Sequence, residues 1–115
     1  MHKTLILVTK SQLGTVEPAD AAFGVEMLDK FFHTLESRHD RPEVICFYTD
    51  GVNALAEGSP LETGLRLLHG LGVRIVACVS CVEYYGLIDK LAVGEIVGTP
   101  EIVQLIAEAE KVVTI

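Results

Sequence analysis

The chain has 115 residues, nine Lys and Arg against sixteen Asp and Glu, a formal charge of -7 and 50% hydrophobic residues. That length is enough for one compact domain with a real apolar core, which excludes a small scaffold dependent on disulfides or a structural metal. The acidic balance argues against nucleic-acid backbones and anionic membrane surfaces as partners. The longest uncharged apolar stretch, Ile75 to Val82, is broken by Cys and Ser and falls far short of the roughly 20 residues of a membrane helix. Three cysteines, an odd number, in a chain that opens Met-His-Lys without a signal-peptide hydrophobic stretch suggest a reducing, cytoplasmic setting. Half the residues are apolar, yet only seven are aromatic and none is Trp. This points to a sheet buried on both faces or to a subunit interface.

In chain order, Thr4 to Thr9 is a continuous β-branched run, the pattern of a strand buried on both faces. A helix follows, opening near Pro18-Ala19-Asp20, with Leu28, Phe31, Phe32 and Leu35 on one stripe. Val44 to Tyr48 is the second buried strand. Ser59-Pro60-Leu61-Glu62 reads as a capping box with Pro at the first helical position. That second helix carries Leu61, Leu65 and Leu68 inward and ends at Gly72. Val73 to Val79 is the third strand, Val82 to Leu91 a short helix and Val93 to Val97 a brief strand. Thr99-Pro100 caps a last helix with Ile102, Leu105, Ile106 and Ala109 on one face, and Lys111 to Ile115 closes as a strand. Strict alternation of strand and helix predicts an α/β fold, a three-layer α/β/α sandwich around a mostly parallel five-stranded sheet with right-handed crossovers, in one domain spanning residues 1–115.

Ligands and reactive groups in such sheets gather beyond the carboxyl ends of the strands. Those ends carry Lys10 to Gly14, Thr49 to Asn53 and Ser80-Cys81. The outstanding feature is Cys78-Val79-Ser80-Cys81, a C-x-x-C between a strand and a helix. The N–H groups and dipole of the helix favour a thiolate at Cys81, while the neighbouring Glu83 opposes it. Cys78 reads also as a small hydrophobe inside the third strand. Zinc would need a second ligand pair, and Cys46, His2, His33, His39 and His69 show no metal-ligand spacing. The C-x-x-C follows two full βα units, later than a thioredoxin-type dithiol. Lys10 to Gly14 matches no phosphate-binding fingerprint, Asp50-Gly51 reads as a turn, and no Ser-His-Asp set stands out. Tyr84-Tyr85-Gly86 reads first as packing at a helix or subunit contact rather than a cofactor box, and second as a pair of aromatics that would wall a small pocket beside Cys81. No cofactor is implied.

The blocks Ser11-Gln12-Leu13-Gly14, Phe47 to Val52 and above all Cys78-Val79-Ser80-Cys81-Val82-Glu83-Tyr84-Tyr85-Gly86-Leu87, continued by Asp89 to Ile96, resemble the DsrE/DsrF-like family of sulfur-handling proteins. Nearly the whole chain takes part, and the likeness is greatest to the C-terminal domain of YedF-type proteins, which are linked to selenium metabolism and sulfur transfer. The resemblance implies a flavodoxin- or Rossmann-like sandwich, a homo-oligomer (dimer, trimer or hexamer) and a sulfurtransferase-like carrier that relays sulfane sulfur, or selenium, as a cysteine persulfide. It matches Cys81 to the cysteine before the Tyr-Gly segment, whereas the persulfide cysteine of related relay subunits matches Cys78. Ser11, Asp50, Gly51, Tyr84 and Tyr85 are the expected pocket lining. YedF-type proteins carry a TusA-like domain with a Cys-Pro motif, absent before Lys3 here, so a separate TusA-like donor or acceptor is implied. Val79-Ser80 replaces an expected Gly-Thr, and Thr49-Asp50 an expected Asn-Ser or Asn-Gly. Two other functions fit the same residues: a non-catalytic oligomeric module for a small ligand, and a dithiol redox sensor using Cys78 and Cys81.

Overall fold

The computed structural model describes residues 3–115, so His2 lies outside the described residues. Five strands, β1 (Thr4–Val8), β2 (Val44–Phe47), β3 (Arg74–Cys78), β4 (Glu95–Val97) and β5 (Lys111–Thr114), form one sheet in the order β4, β3, β2, β1, β5. Every pairing is parallel, so the mostly parallel sheet expected from sequence is wholly parallel. Four helices, α1 (Ala21–Glu36), α2 (Glu62–Gly70), α3 (Val79–Tyr84) and α4 (Thr99–Glu108), lie between the strands.

The sheet is apolar on both faces, which is why its strands read as runs rather than alternations. Leu28 and Phe32 of α1 and Leu65 and Leu68 of α2 pack with Ile6, Ile45, Phe47 and Ile75 on one face. Ile102 of α4, with Leu105, Ile106 and Ala109, covers Leu5, Val44, Cys46, Val76 and Val97 on the other. The direction of strand addition explains the division. Chain progress from β1 to β3 places α1 and α2 on one side, and the return from β4 to β5 with a right-handed crossover places α4 opposite.

Local chemistry sets the boundaries. A 3-10 turn, Pro18–Asp20, precedes α1, as the Pro predicts. The capping box ahead of α2 is displaced. Ser59 Oγ accepts the Leu61 N–H at 3.0 Å, but the Glu62 carboxylate accepts the N–H of Gly58 at 2.8 Å because the Ser59 N–H already serves Ala56 O. The α-helix therefore starts at Glu62 rather than Pro60, and Gly72, with φ +96°, ends it as expected. α3 differs more: it begins at Val79 instead of Val82 and stops at Tyr84 instead of Leu91. Gly86 takes φ +69°, and the Leu87 N–H reaches Val82 O at 2.9 Å, a closing pattern that terminates a helix.

Candidate functional site

The carboxyl ends of β3 and β4 are where the outgoing chains diverge. The segment after β3 packs Val82 and Leu87 against the α1/α2 face, while the segment after β4 enters α4 on the other. Such divergence opens a crevice in parallel sheets, and both C-x-x-C cysteines lie at it. Cys78 is the N-cap residue of α3, with extended backbone (φ -67°, ψ 125°). It is only 2% exposed. Cys81 follows in the first helical turn, half-buried, and packs against both cores.

Burial pushes the Cys78 thiol up. The N–H and thiol of Cys81, the N–H of Ser80 and the Thr99 hydroxyl near its sulfur outweigh the burial and leave the pKa lowered. Cys81 moves the other way. Burial raises it, the Thr49 N–H lowers it, and its hydrogen bond and like charge with Cys78 raise it again, for a net increase. The two thiols are displaced in opposite directions, Cys78 downward and Cys81 upward. The helix N-terminus was expected to favour a thiolate at Cys81; because α3 starts three residues early, its free N–H groups face Cys78 instead.

The loop after β2 completes the site. A 3-10 segment, Thr49–Leu55, turns over the end of β1, and the Thr49 N–H donates to Cys81 Sγ at 3.0 Å. Thr49 is in the left-handed region, with φ +46°, an uncommon backbone for a β-branched residue. Its hydroxyl lies 3.0 Å from Thr9 O and 2.8 Å from Tyr48 O. Gly51 lets this loop approach β1: a Cβ there would lie 2.2 Å from Val8 O. Asp50 is the loop's tie to the segment after β1. Its Oδ2 accepts the Ser11 N–H at 3.0 Å and the Ser11 hydroxyl at 2.9 Å, and its Oδ1 accepts the Asn53 amide at 3.1 Å.

An open cleft of about 250 Å³ lies over Cys81, lined by Thr49, Ser80, Cys81, Tyr84 and Tyr85. The two tyrosines meet edge to face, with centroids 5.1 Å apart. Of the residues singled out in sequence, the structure brings Cys81, Cys78, Tyr84 and Tyr85 together. Asp50 and Gly51 instead build the loop below, and Ser11 lines a separate cavity of about 330 Å³ with Asn53 and Pro60. Thr49, Tyr48 and Thr99 are additions. The Thr99 hydroxyl lies near the Cys78 sulfur and the Tyr48 side chain and favours the charged form of each; its place beside Pro100 disguised it as a helix cap. A larger cleft, about 620 Å³, lies at the opposite ends of β3 and β4 with Arg66, His69, Arg74 and Glu95. It holds no nucleophile, and its arginines are paired with Glu62, Glu95 and Glu101. Among the described residues no group of three His, Cys, Asp or Glu is placed to hold a metal.

Fold and site define an all-parallel α/β sandwich with a cysteine pair where the strand ends diverge. Residues 3–115 match the DsrE/DsrF-like family, and the chain belongs to it. No curated protein matches the sequence. Among solved structures, the chain is similar over its full length to the ychN protein from E. coli, with all of each chain covered, 20% identity and a TM-score of 0.70. MTH1491 from Methanobacterium thermoautotrophicum, titled a protein of unknown function, also aligns over all of both chains, at 21% identity and a TM-score of 0.72. BT1422 from Bacteroides thetaiotaomicron, likewise titled, aligns over 98% of this chain and 95% of its own, at 18% and 0.65. At these identities the likeness is one of fold.

Proposed function

We propose that the protein is a sulfur carrier of the relay type, in which Cys81 accepts a sulfane sulfur as a persulfide and passes it to a partner. The observation that carries this reading is the Cys81 sulfur at the base of an open cleft, held by the Thr49 N–H on one side and the Cys78 sulfur on the other. Cys81 Sγ, held by the Thr49 N–H, gives its proton to solvent and attacks the outer sulfur of a donor persulfide. A new S–S bond forms at Cys81, the donor's S–S bond breaks, and the donor departs as a thiolate. The outer sulfur extends into the cleft between Tyr84 and Tyr85. In the second half, an acceptor thiolate attacks that outer sulfur, and Cys81 leaves as thiolate and recovers its proton. Nothing is oxidised overall: one sulfane sulfur changes carriers, at a rate set by thiolate fraction, nucleophilicity and access.

We further infer a YedF-like role in the reducing cytoplasm, with a separate TusA-like protein as donor or acceptor. The net charge of -7 favours a partner with a basic surface, and such an encounter weakens as salt rises. The apolar excess and the exposed Val103 and Val112 support a homo-oligomer. The test of the carrier is intact-mass and peptide analysis after incubation with glutathione persulfide. One sulfur atom on Cys81, absent in Cys81→Ser, is the expected result. An unmodified Cys81, with the Cys81→Ser variant indistinguishable from the parent, would sink the reading.

A further inference from the structure

We propose that Cys78 discharges the Cys81 persulfide when no acceptor is present: its sulfur attacks Cys81 Sγ, forms a Cys78–Cys81 disulfide and expels hydrosulfide. This rests on the persulfide reading above and adds to it a second fate for the bound sulfur.

Accessibility comes first. Cys78 is 2% exposed and lines none of the cleft over Cys81, so an external sulfur donor cannot reach it. Its sulfur does lie close to the Cys81 thiol. Cys46 is no competitor, being fully buried in β2. Within the site, Cys81 is therefore the one electrophile that Cys78 can meet. Backbone geometry permits the bond. Residues at the N-cap and third position of a helix have Cα atoms about 5 Å apart, inside the range of roughly 4.4 to 6.8 Å that disulfides span.

Cys81 lines the cleft and Cys78 does not, so an outer sulfur directed into the cleft points away from Cys78 and leaves Cys81 Sγ as the sulfur that Cys78 meets. That arrangement suits displacement at the inner sulfur. The alternative, attack on the outer sulfur to move it onto Cys78, would require space beside Cys78 that the buried cap does not provide. The Ser80 and Cys81 N–H groups and the Thr99 hydroxyl lower the Cys78 pKa against its burial, which raises the thiolate fraction of the attacking sulfur.

The step balances. The Cys78 thiolate and the Cys81 persulfide become one disulfide and one hydrosulfide ion: the S–S bond to the outer sulfur breaks, a Cys78–Cys81 bond forms, and the sulfane sulfur is reduced at the expense of the two cysteines. Return to the dithiol requires a dithiol reductant, which attacks the exposed Cys81 side of the bond. The protein would thus couple sulfane sulfur to a cellular dithiol pool whenever transfer is blocked.

The experiment loads parent and Cys78→Ser protein with glutathione persulfide, removes excess donor and follows both hydrosulfide and intact mass. Serine is a good N-cap, so α3 is kept. The parent is expected to release close to one hydrosulfide per loaded Cys81 and end two hydrogens lighter than the dithiol form, with dithiothreitol restoring it. Cys78→Ser is expected to hold the added sulfur and release hydrosulfide at least roughly tenfold more slowly. A parent that keeps its persulfide as long as Cys78→Ser overturns this proposal and leaves the carrier intact. Failure of both proteins to gain sulfur at Cys81 overturns the carrier and this proposal together. A second arm uses an aryl disulfide that leaves a coloured thiolate. Two coloured equivalents from the parent and one from Cys78→Ser support attack by Cys78 on Cys81, and one from each opposes it.

Discussion

Cys46 differs from the other two thiols in having no donor to stabilise a charge. It is fully buried in β2, and burial pushes its thiol up from 9.0 to about 11, with Arg74 only partly opposing. Between those values the unfolded chain has lost the proton and the folded chain keeps it. Stability fully present below pH 9.0 therefore falls as the pH rises toward about 11, by roughly 2 to 3 kcal/mol in all. Urea unfolding of parent and Cys46→Ala across that window checks this: the variant's deficit at neutral pH should shrink by about that amount, and a constant deficit would refute it. Cys78, at the end of β3, behaves oppositely because it is less deeply desolvated and has the Cys81 and Ser80 N–H groups and the Thr99 hydroxyl near its sulfur. Depth and strand position together separate Cys46 from the C-x-x-C pair. The C-x-x-C was legible in the sequence, but the location of the charge was not, since it depends on where α3 starts.

At the scale of elements, the site depends on how the 3-10 segment Thr49–Leu55 crosses β1. Val8 O accepts the Tyr48 N–H at 2.9 Å, and a side chain at Gly51 would collide with that same carbonyl. Gly51→Ala is expected to cost at least about 3 kcal/mol, since backbone on both sides must shift, and to draw the Thr49 N–H away from Cys81. Gly58→Ala is the control: its Cβ would meet nothing within 4 Å, and only its φ of +80° resists, at roughly 1 kcal/mol. Urea unfolding separates the two, and equal losses would show that close approach to β1 is not the constraint. From sequence, Asp50-Gly51 reads only as a turn, because a glycine needed for contact with a distant strand looks the same as one needed for local φ. The α1 and α2 stripes, by contrast, were largely readable: Leu28, Phe32, Leu65 and Leu68 are buried, as is Leu61 just ahead of α2, while Phe31 and Leu35 are partly buried against the same core.

For the whole molecule, the two faces of the sheet are unequally covered. α1 and α2 share one, while α4 alone spans the other. Val112 of β5 pairs in register with fully buried Leu5, yet is 42% exposed, and Val103 on the outer side of α4 is 55% exposed. The proposed homo-oligomer would cover this edge. Light scattering coupled to size exclusion should give a mass that is a multiple of the 12.5 kDa protomer. Charged substitutions Val103→Asp and Val112→Lys should lower it while the circular dichroism spectrum is retained. A parent that runs as a monomer at micromolar concentration would refute the assembly. No helix among the described residues is long and apolar enough to cross a membrane.

By itself the sequence determined the element order, the doubly buried sheet, the helix stripes and the cysteine pair at a strand end. Each of these follows from periodicity or spacing within a short window, where local sterics and amphipathicity dominate. Only the tertiary structure decided which residues surround the sulfurs. Thr49 reaches Cys81 from 32 positions away, and Thr99 reaches Cys78 across the divergence between α3 and α4. Those contacts come from parallel strand order, which brings loops distant in sequence to one edge, and from the start of α3 at Val79. That one helix boundary puts Cys78 rather than Cys81 at the N-cap, and the two thiols shift in opposite directions, Cys78 down and Cys81 up.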